Sequence, residues 1–355
     1  MKKRIFAEKA IMNLNFKSVI KETAAILSEI DYEKLPASDC NEQYICREKP
    51  DFIYFLMIYS YCIKKGIQKS KVPLSDITMV DFGGGSGFLS IFAKKLGIGH
   101  VIYVDIDLLS IETVTLLKDK TGIGPDTIIH GSSGCLAAWC LENNVSPDLL
   151  IATDVIEHAY NLDILFSELT CINGRMRMLF TTASTPYNPY VKRRLHRMMD
   201  ACEYGTMETP NYYTKRMLYI KQRFTTLSDQ EVKDWALRTR GLIYADIDEA
   251  VEKNLHLQTL GAHNTCDPET GNWTERIVPV RYYRDLLSKR DYAVSVHKGF
   301  YNDQRLQKWK SVACRCINQL IRISGKAGFL LSPFILLVCD RRKDNKSGSY
   351  MNSAN

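Results

Sequence analysis

The chain has 355 residues, of which 45% are apolar and 25% are charged, as expected for a globular protein of one large domain or two modest ones. The formal net charge of +7 permits an anionic ligand without requiring nucleic acid. The 11 cysteines contain no C-x-x-C pair, which argues against a structural zinc site and favours free thiols in a reducing cytoplasm. The most apolar run, Phe329 to Cys339, is too short to span a bilayer, and we expect a strand there.

The N-terminal part of the chain, residues 1–75, is predicted to be helical. Apolar residues recur at helical spacing from Phe16 to Ile30, and a second helix with an aromatic stripe begins after Pro50. A stripe of this kind usually packs against a neighbouring layer. We therefore expect the second helix to bury its aromatic face against the domain that follows.

Strands and helices then alternate at lengths typical of α/β proteins. The strands are predicted at 77–82, 100–105, 127–130, 148–153 and 176–182, and the helices at 86–96, 107–119, 132–143 and 161–172. Right-handed crossovers between such strands give an open, doubly wound sheet that binds ligands at the carboxyl ends of its strands.

The first of these strands runs into a glycine-rich turn with the pattern Asp81-x-Gly83-x-Gly85-x-Gly87. Glycines allow a sharp turn and let a ligand approach the main chain and the helix N–H groups beyond it. The spacing differs from the G-x-G-x-x-G of dinucleotide sites, and the acid suits a ligand with a cationic amino-acid end. The second strand ends at Asp105, where a carboxylate can bind two ribose hydroxyls.

On these residues the chain resembles the class I S-adenosylmethionine-dependent methyltransferases. The resemblance covers residues 76–185 and 276–342. It implies an α/β fold, a doubly wound Rossmann-like seven-stranded sheet that is mostly parallel with an antiparallel last strand. The sixth and seventh strands are expected at 292–299 and 334–340, after a helix at 277–287.

The resemblance also implies that the cofactor is S-adenosyl-L-methionine. The cofactor-binding residues that it implies are Asp81, Gly83, Gly84, Gly85, Gly87, Asp105, Ile106, Ser132, Asp154 and Val155. Ser132 has a second interpretation as the N-cap of the following helix. By analogy with the same enzymes, residues 1–75 form a helical lid in which Tyr44 to Tyr61 supplies one wall over the cofactor.

The regular alternation stops after Thr182, and residues 186–275 are predicted to be a helical insertion over the active-site edge. Insertions at such an edge commonly recognise the substrate. The basic cluster from Lys192 to Arg197 is either a solvated helix face or a clamp for a phosphate-bearing acceptor. The polar tail at 343–355 is expected to be disordered.

The fourth strand ends in Asp154-Val155-Ile156-Glu157-His158, which resembles the D-x-x-E-H element of small-molecule and sugar methyltransferases. It also resembles the E-x-x-E-H of the ubiquinone-biosynthesis and plant small-RNA enzymes, the latter of which use a divalent ion. Three interpretations stay open: a magnesium site, a general base at His158, or a structural pairing that stiffens the turn. The catalytic candidates are His158, His196 and Glu157, and a metal site would also need His196 or His263.

The sequence therefore predicts an enzyme that methylates a hydroxyl of a small-molecule or glycan acceptor by in-line displacement. A metal-assisted RNA 2′-O-methyltransferase is the alternative within the fold, and the lack of a basic stripe interleaved with aromatic residues argues against it. A nicotinamide-dependent oxidoreductase is a further alternative, disfavoured by the position of Gly87. A non-catalytic interaction protein is disfavoured by the intact glycine loop.

Overall fold

The computed structural model describes residues 15–31, 51–68, 70, 72–205, 211–256, 261–304 and 307–342. The predicted tail at 343–355 lies outside the described residues, as does the part of the predicted lid wall that includes Tyr44. Among the described helices, none is both long and apolar enough to cross a membrane.

The described chain is organised around seven strands. The strands are β1 (Thr78–Phe82), β2 (His100–Asp105), β3 (Thr127–His130), β4 (Leu149–Thr153), β5 (Arg177–Thr182), β6 (Tyr292–Lys298) and β7 (Ile335–Arg341). The helices are α1 (Phe16–Ser28), α2 (Phe52–Ile67), α3 (Phe88–Lys95), α4 (Leu108–Thr121), α5 (Ser133–Glu142), α6 (Leu162–Ile172), α7 (Pro189–Tyr204), α8 (Tyr212–Arg223), α9 (Asp229–Arg238), α10 (Tyr244–Glu252), α11 (Val280–Ser288) and α12 (Lys308–Ile323).

The strands form one sheet in the order β3-β2-β1-β4-β5-β7-β6. Strands β1 to β5 pair in parallel, and β7 is antiparallel to both β5 and β6. The predicted doubly wound, mostly parallel sheet is therefore confirmed. Because β6 runs in the direction of β1 to β5, the connection from β6 to β7 begins at the same edge as the carboxyl ends of the parallel strands.

Helices cover the sheet on both faces, as the apolar run of β4 predicts. Leu149 and Ile151 belong to the apolar layer beneath α1, α2 and α3, whereas Leu150 and Ala152 belong to the layer beneath α5, α6 and α11. The aromatic stripe of α2 is core packing, as expected; its first residue, Phe52, meets Phe88 of α3 edge-on at 5.2 Å between ring centroids.

The segment that follows β5 is helical and has a small core of its own. Helices α8 to α10 pack around Trp235 and Ile247, and a fully buried ion pair joins Arg216 of α8 to Glu203 of α7. Thr265 donates a further hydrogen bond to the same carboxylate at 2.7 Å. The insertion is therefore held together by a charge pair as well as by apolar contacts.

Two details after β6 differ from the sequence expectations. No element is expected from the sequence between β6 and β7, but α12 and a short 3-10 turn at Gly325–Leu330 occupy this connection. The apolar run from Phe329 forms a strand only in its last part, after Pro333, which cannot donate a ladder hydrogen bond; this strand begins at Ile335, within one residue of the seventh strand expected at 334–340.

The buried ion pair gives a stability prediction for the insertion. We expect Arg216→Leu to lower the free energy of unfolding by about 3–5 kcal/mol, because it removes the arginine that is hydrogen-bonded to the buried Glu203 carboxylate and leaves Arg240, at 4.0 Å, as the remaining cation beside it. Urea unfolding followed by tryptophan fluorescence measures the change. The control is Lys221→Leu, which removes an exposed pair with Asp229 and is expected to leave the free energy of unfolding almost unchanged. Equal losses from the two variants would contradict the prediction.

Candidate functional site

The glycine loop connects β1 to α3 at the carboxyl edge of the sheet. Gly83, Gly85 and Gly87 all have positive φ angles, of 64°, 50° and 74°, which residues with a Cβ rarely adopt. The Gly83 N–H donates to the Val104 carbonyl at 2.8 Å. The loop thus begins with a bond to the adjacent strand, β2.

The four glycines of the loop are needed for different reasons. At three of them a Cβ would collide with a packed side chain, at 2.6 Å from Val155 for Gly83, 2.5 Å from Tyr103 for Gly84 and 2.3 Å from Val114 for Gly87. A Cβ at Gly85 would meet no atom within 4 Å. Packing therefore excludes side chains at three positions, whereas Gly85 borders open space that a ligand can fill.

The carboxylate of Asp105 holds this open part of the loop. One oxygen accepts the Gly85 N–H at 2.8 Å, and the other accepts the Asp107 N–H at 2.9 Å. Burial raises the pKa of Asp105, and these two amide bonds oppose the rise. Each oxygen still has a second lone pair for a ligand hydroxyl. The neighbouring Ile106 side chain is 73% exposed, which leaves an apolar surface beside the carboxylate.

Asp81 lies behind the loop. Its side chain is buried and accepts a hydrogen bond from the Ser90 hydroxyl at 2.6 Å. Burial raises the pKa of Asp81 to about 7, against the lowering effect of the Ser90 bond. A Cβ on Gly84 would lie 3.0 Å from the Asp81 carboxyl carbon. The described contacts of Asp81 thus support the loop, and a contact with the ligand stays a prediction.

Ser132 precedes α5 and is exposed. It has the extended backbone of an N-cap residue, but its side chain makes no capping hydrogen bond. Its hydroxyl lies 3.9 Å from the Cys135 sulfur. The backbone thus fits the N-cap interpretation without the capping bond, and a contact of the hydroxyl with the ligand stays a prediction.

The residues after β4 form a tight turn. Asp154 has a positive φ of 55°, and the His158 N–H donates to the Val155 carbonyl at 3.0 Å. Asp154 influences the pKa of Glu157, and His158 influences that of Asp154. The turn therefore brings the three predicted residues close enough to interact electrostatically.

Within this turn Glu157 points into the protein. One carboxyl oxygen accepts the Thr182 hydroxyl at 2.6 Å, and the other has no hydrogen-bond partner. Burial, followed by the charges of Asp154 and Glu275, raises the pKa of Glu157 well above its usual value. Burial thus favours the neutral acid form of Glu157, and its described contact with Thr182 holds the turn.

A third carboxylate, that of Glu275, lies close enough to this turn to act on the charges of Asp154 and Glu157. Asp154 remains open to solvent, but surrounding protein atoms crowd it, and their desolvation together with the charge of Glu275 raises its pKa to about 6. Glu275 has a φ of 75° and accepts the Ser184 hydroxyl at 2.8 Å. No sequence motif identifies Glu275, because only the fold brings it to this turn.

His158 is held by the segment that contains Glu275. Its Nδ1 lies 2.8 Å from the Trp273 carbonyl oxygen. A carbonyl can only accept, so Nδ1 carries the proton and Nε2 keeps a basic lone pair. Two main-chain bonds, from Trp273 N–H to the His158 carbonyl and from Arg276 N–H to the Glu157 carbonyl, fix the turn.

His196, the other predicted catalytic histidine, lies on α7. Its ring stacks on that of His263 with 3.9 Å between centroids, and His263 Nδ1 lies 2.8 Å from Asp200. Burial, followed by the charge of His263, lowers the pKa of His196. His196 and its neighbours lie within the insertion, whereas His158 lies in the turn that follows β4.

The residues of the magnesium interpretation have other partners in the structure. Within the described ranges, no group of three or more His, Cys, Asp or Glu residues is arranged to hold a metal ion. Glu157 is directed to Thr182, and the Nδ1 of His158 is directed to the Trp273 carbonyl. These contacts are the kind that the structural interpretation of the turn requires.

Comparison with known proteins places the glycine loop in a family. Residues 62–129 match the family model described as ribosomal protein L11 methyltransferase (PrmA). The ribosomal protein L11 methyltransferase of Clostridium perfringens (strain SM101 / Type A) is 26% identical over 113 residues, which are 31% of this chain and 36% of that relative. That of Dechloromonas aromatica is 44% identical over 46 residues, 13% of this chain and 16% of the relative. The chain thus spans about a third or less of these relatives.

Solved structures overlap more of the chain at lower identity. YcgJ of Bacillus subtilis covers 80% of this chain and 99% of its own, with a TM-score of 0.41 and 11% identity. Magnesium protoporphyrin IX methyltransferase of Synechocystis, solved with bound SAH, covers 80% of both chains, with a TM-score of 0.37 and 12% identity. The strand order, the loop held by Asp105 and the match over residues 62–129 together make this chain similar in fold and in its glycine loop to the S-adenosylmethionine-dependent methyltransferases.

Proposed function

We propose that this protein transfers a methyl group from S-adenosylmethionine to a hydroxyl of a small-molecule or glycan acceptor. The observation that carries the proposal is Gly85, whose missing side chain leaves open space next to the Asp105 carboxylate. The cofactor supplies a sulfonium-bound methyl with an excellent leaving group. The protein has to hold that methyl in line with the acceptor and to accept the acceptor's proton.

The residues around the loop suit the parts of this cofactor. Asp105 has one lone pair on each oxygen for the two ribose hydroxyls, and exposed Ile106 offers an apolar surface for the adenine. Ser132 is positioned at a neighbouring strand end for a polar contact with the base. The amino-acid end would lie toward Gly83 and Asp154, where the carboxylate offsets its positive charge.

His158 is the proposed general base on the acceptor side. Its Nδ1–H is committed to the Trp273 carbonyl, so Nε2 accepts the proton that leaves the acceptor hydroxyl. The nearby Asp154 stabilises the resulting imidazolium. Glu157 holds the turn through Thr182 and is a positioning residue in this scheme. His196 remains a second candidate, for an acceptor that reaches into the insertion.

A second candidate function is methylation of an amine on a protein. Asp154 and Glu275 place two carboxylates beside His158, and such a site favours a cationic group over a phosphate. The matched relatives are named for methylation of a ribosomal protein. Incubation with radiolabelled S-adenosylmethionine and separate panels of glycans, phenols and lysine peptides tests the two candidates. Label in the peptides alone would exclude hydroxyl transfer.

Binding of S-adenosylhomocysteine tests the role of Gly85. We expect Gly85→Ala to abolish measurable binding in calorimetry, because the new Cβ occupies the open space. The matched control is Gly97→Ala: Gly97 also has a positive φ, of 90°, and a Cβ there would also meet no atom within 4 Å. Both variants carry a backbone strain of about 1–2 kcal/mol, so the control isolates the ligand effect. Unchanged affinity in Gly85→Ala would show that no cofactor lies there.

The Asp105 carboxylate gives a second binding prediction. We expect Asp105→Ala to weaken S-adenosylhomocysteine binding by about 2 kcal/mol, or about 30-fold, because hydrogen bonds to a charged group are lost. Calorimetry measures the affinity, and circular dichroism checks that the sheet persists. An unchanged affinity in a folded variant would remove Asp105 from the site.

The base assignment predicts a separation of turnover from cofactor binding. We expect His158→Gln to lower kcat by about 10²-fold or more, because the amide cannot accept the proton. S-Adenosylhomocysteine affinity should stay unchanged. The control is Glu157→Gln, which retains an acceptor for Thr182 and should keep most of the turnover. Full activity of His158→Gln on the acceptor found in the panels would leave His158 with a structural role only.

A further inference from the structure

Helix α12 exposes a continuous apolar stripe. Its members recur at the spacing of one helix face, from the start of the helix to its end. They are Trp309, Val312, Cys316, Leu320 and Ile323, all of which are exposed. Trp309 is 69% exposed and Ile323 is 65% exposed. A stripe of this length on the surface indicates an interaction site.

The stripe faces outward because the opposite face of α12 is attached to the protein. Ser311 and Ile321 are its buried residues. The Asn318 side chain accepts the Tyr301 N–H at 2.7 Å and donates to the Tyr301 carbonyl at 2.9 Å. Lys298 of β6 donates to the Gly325 carbonyl just after the helix, at 3.0 Å. The orientation of the helix is therefore fixed by specific contacts.

A row of positive charge runs beside the stripe. Lys308, Arg315 and Arg322 are exposed and separated by seven residues each, so they lie along one line of the helix. Lys326 follows in the next turn. The sequence contains no Asp or Glu from residue 304 to residue 339. The surface thus combines exposed apolar groups with cations and has no carboxylate within its own segment.

This surface reaches the carboxyl edge of the sheet, where the candidate site lies. Asn188, at the start of α7, donates to the Ser332 carbonyl at 3.0 Å. The Tyr187 ring packs on that of Phe329 with 5.2 Å between ring centroids. Leu330 and Leu331 in the same turn are 56% and 41% exposed. The apolar surface therefore continues from α12 toward the loop that follows β5.

We propose that α12 and the turn at 325–331 dock this protein on an anionic lipid bilayer, with the helix lying in the plane of the interface. Exposed apolar residues beside a basic row fit a surface of acyl chains under anionic headgroups. An antiparallel two-fold dimer through the same face would bring the two basic rows to the same side of the helix pair, so charge disfavours that arrangement of a second copy. The inference does not depend on the proposed function, because vesicle binding requires neither methyl donor nor acceptor.

Flotation with vesicles tests the docking surface. The full chain is mixed with vesicles of phosphatidylcholine alone or of phosphatidylcholine with phosphatidylglycerol. We expect flotation with the anionic vesicles and its loss in high salt, which screens the headgroup charge. No flotation, or equal flotation with both vesicle types, would overturn the proposal.

Two sets of variants separate the charge from the apolar stripe. Replacing Lys308, Arg315 and Arg322 by Gln should lower partitioning by on the order of 100-fold. The control replaces Lys221, Arg223 and Lys253 of the insertion by Gln, which removes the same net charge and should preserve binding. For the stripe, Leu320→Glu should abolish flotation. Its control, Leu141→Glu on α5, changes a leucine that is 83% exposed and should have no effect.

Trp309 reports insertion directly. Brominated lipids should quench its fluorescence in the presence of anionic vesicles, and Trp309→Phe should remove that quenching. Sedimentation analysis of the free protein tests whether a second copy of the chain covers the stripe instead. A dimer that Leu320→Glu dissociates, together with no vesicle binding, would make a second copy the occupant and would overturn the proposal.

Discussion

The hydrogen bond from Gly85 N–H to the Asp105 carboxylate fixes the shape of the glycine loop, against which we propose that the cofactor binds. The carbonyl of the same glycine accepts the Tyr103 hydroxyl, so β2 holds both polar groups of the residue. A bond to a carboxylate contributes about 1.5–3 kcal/mol. Since the loop is ordered by the protein itself, a ligand that fills the space at Gly85 does not have to order it. The collisions that a Cβ would cause at Gly83, Gly84 and Gly87 leave the loop little freedom to adopt another path.

The region around His158, where we propose that the acceptor binds, is assembled differently, from three segments that are distant in sequence. The turn at 154–158, the end of β5 and the segment at 273–276 meet around Glu157 and His158. Asp81 and Asp154 have pKa values raised to about 7 and about 6 from 3.8. These two carboxyls therefore bind more protons in the folded protein than in the unfolded chain between about pH 4 and 7, and their contribution to stability falls as the pH rises through that window. A positive charge bound beside Asp154 would favour its ionised form and offset part of this loss, so the surroundings of Asp154 favour a cationic ligand.

The residues that could be predicted from the sequence are those defined by local patterns. Strands β2 and β3 have the predicted bounds, and the glycine loop lies next to Asp105 as its spacing indicates. The motif after β4 also identifies His158 but not its partner, because Trp273 is 115 positions away. Glu275 has no local signature for the same reason. The apolar period of α12 is visible in the sequence, but periodicity cannot tell a face covered by the core from one exposed to solvent.

The segments that distinguish this chain from a bare methyltransferase core lie at one edge of the sheet. The insertion begins after β5, and α12 follows β6, which runs in the same direction. The two are joined where Asn188 caps α7 and donates to the Ser332 carbonyl. The family match over residues 62–129 ends at β3 and includes neither segment, so it informs the cofactor-binding part of the chain and not the acceptor. Under the proposed function the acceptor reaches His158 at this edge, so its recognition is assigned by that proposal to residues outside the match.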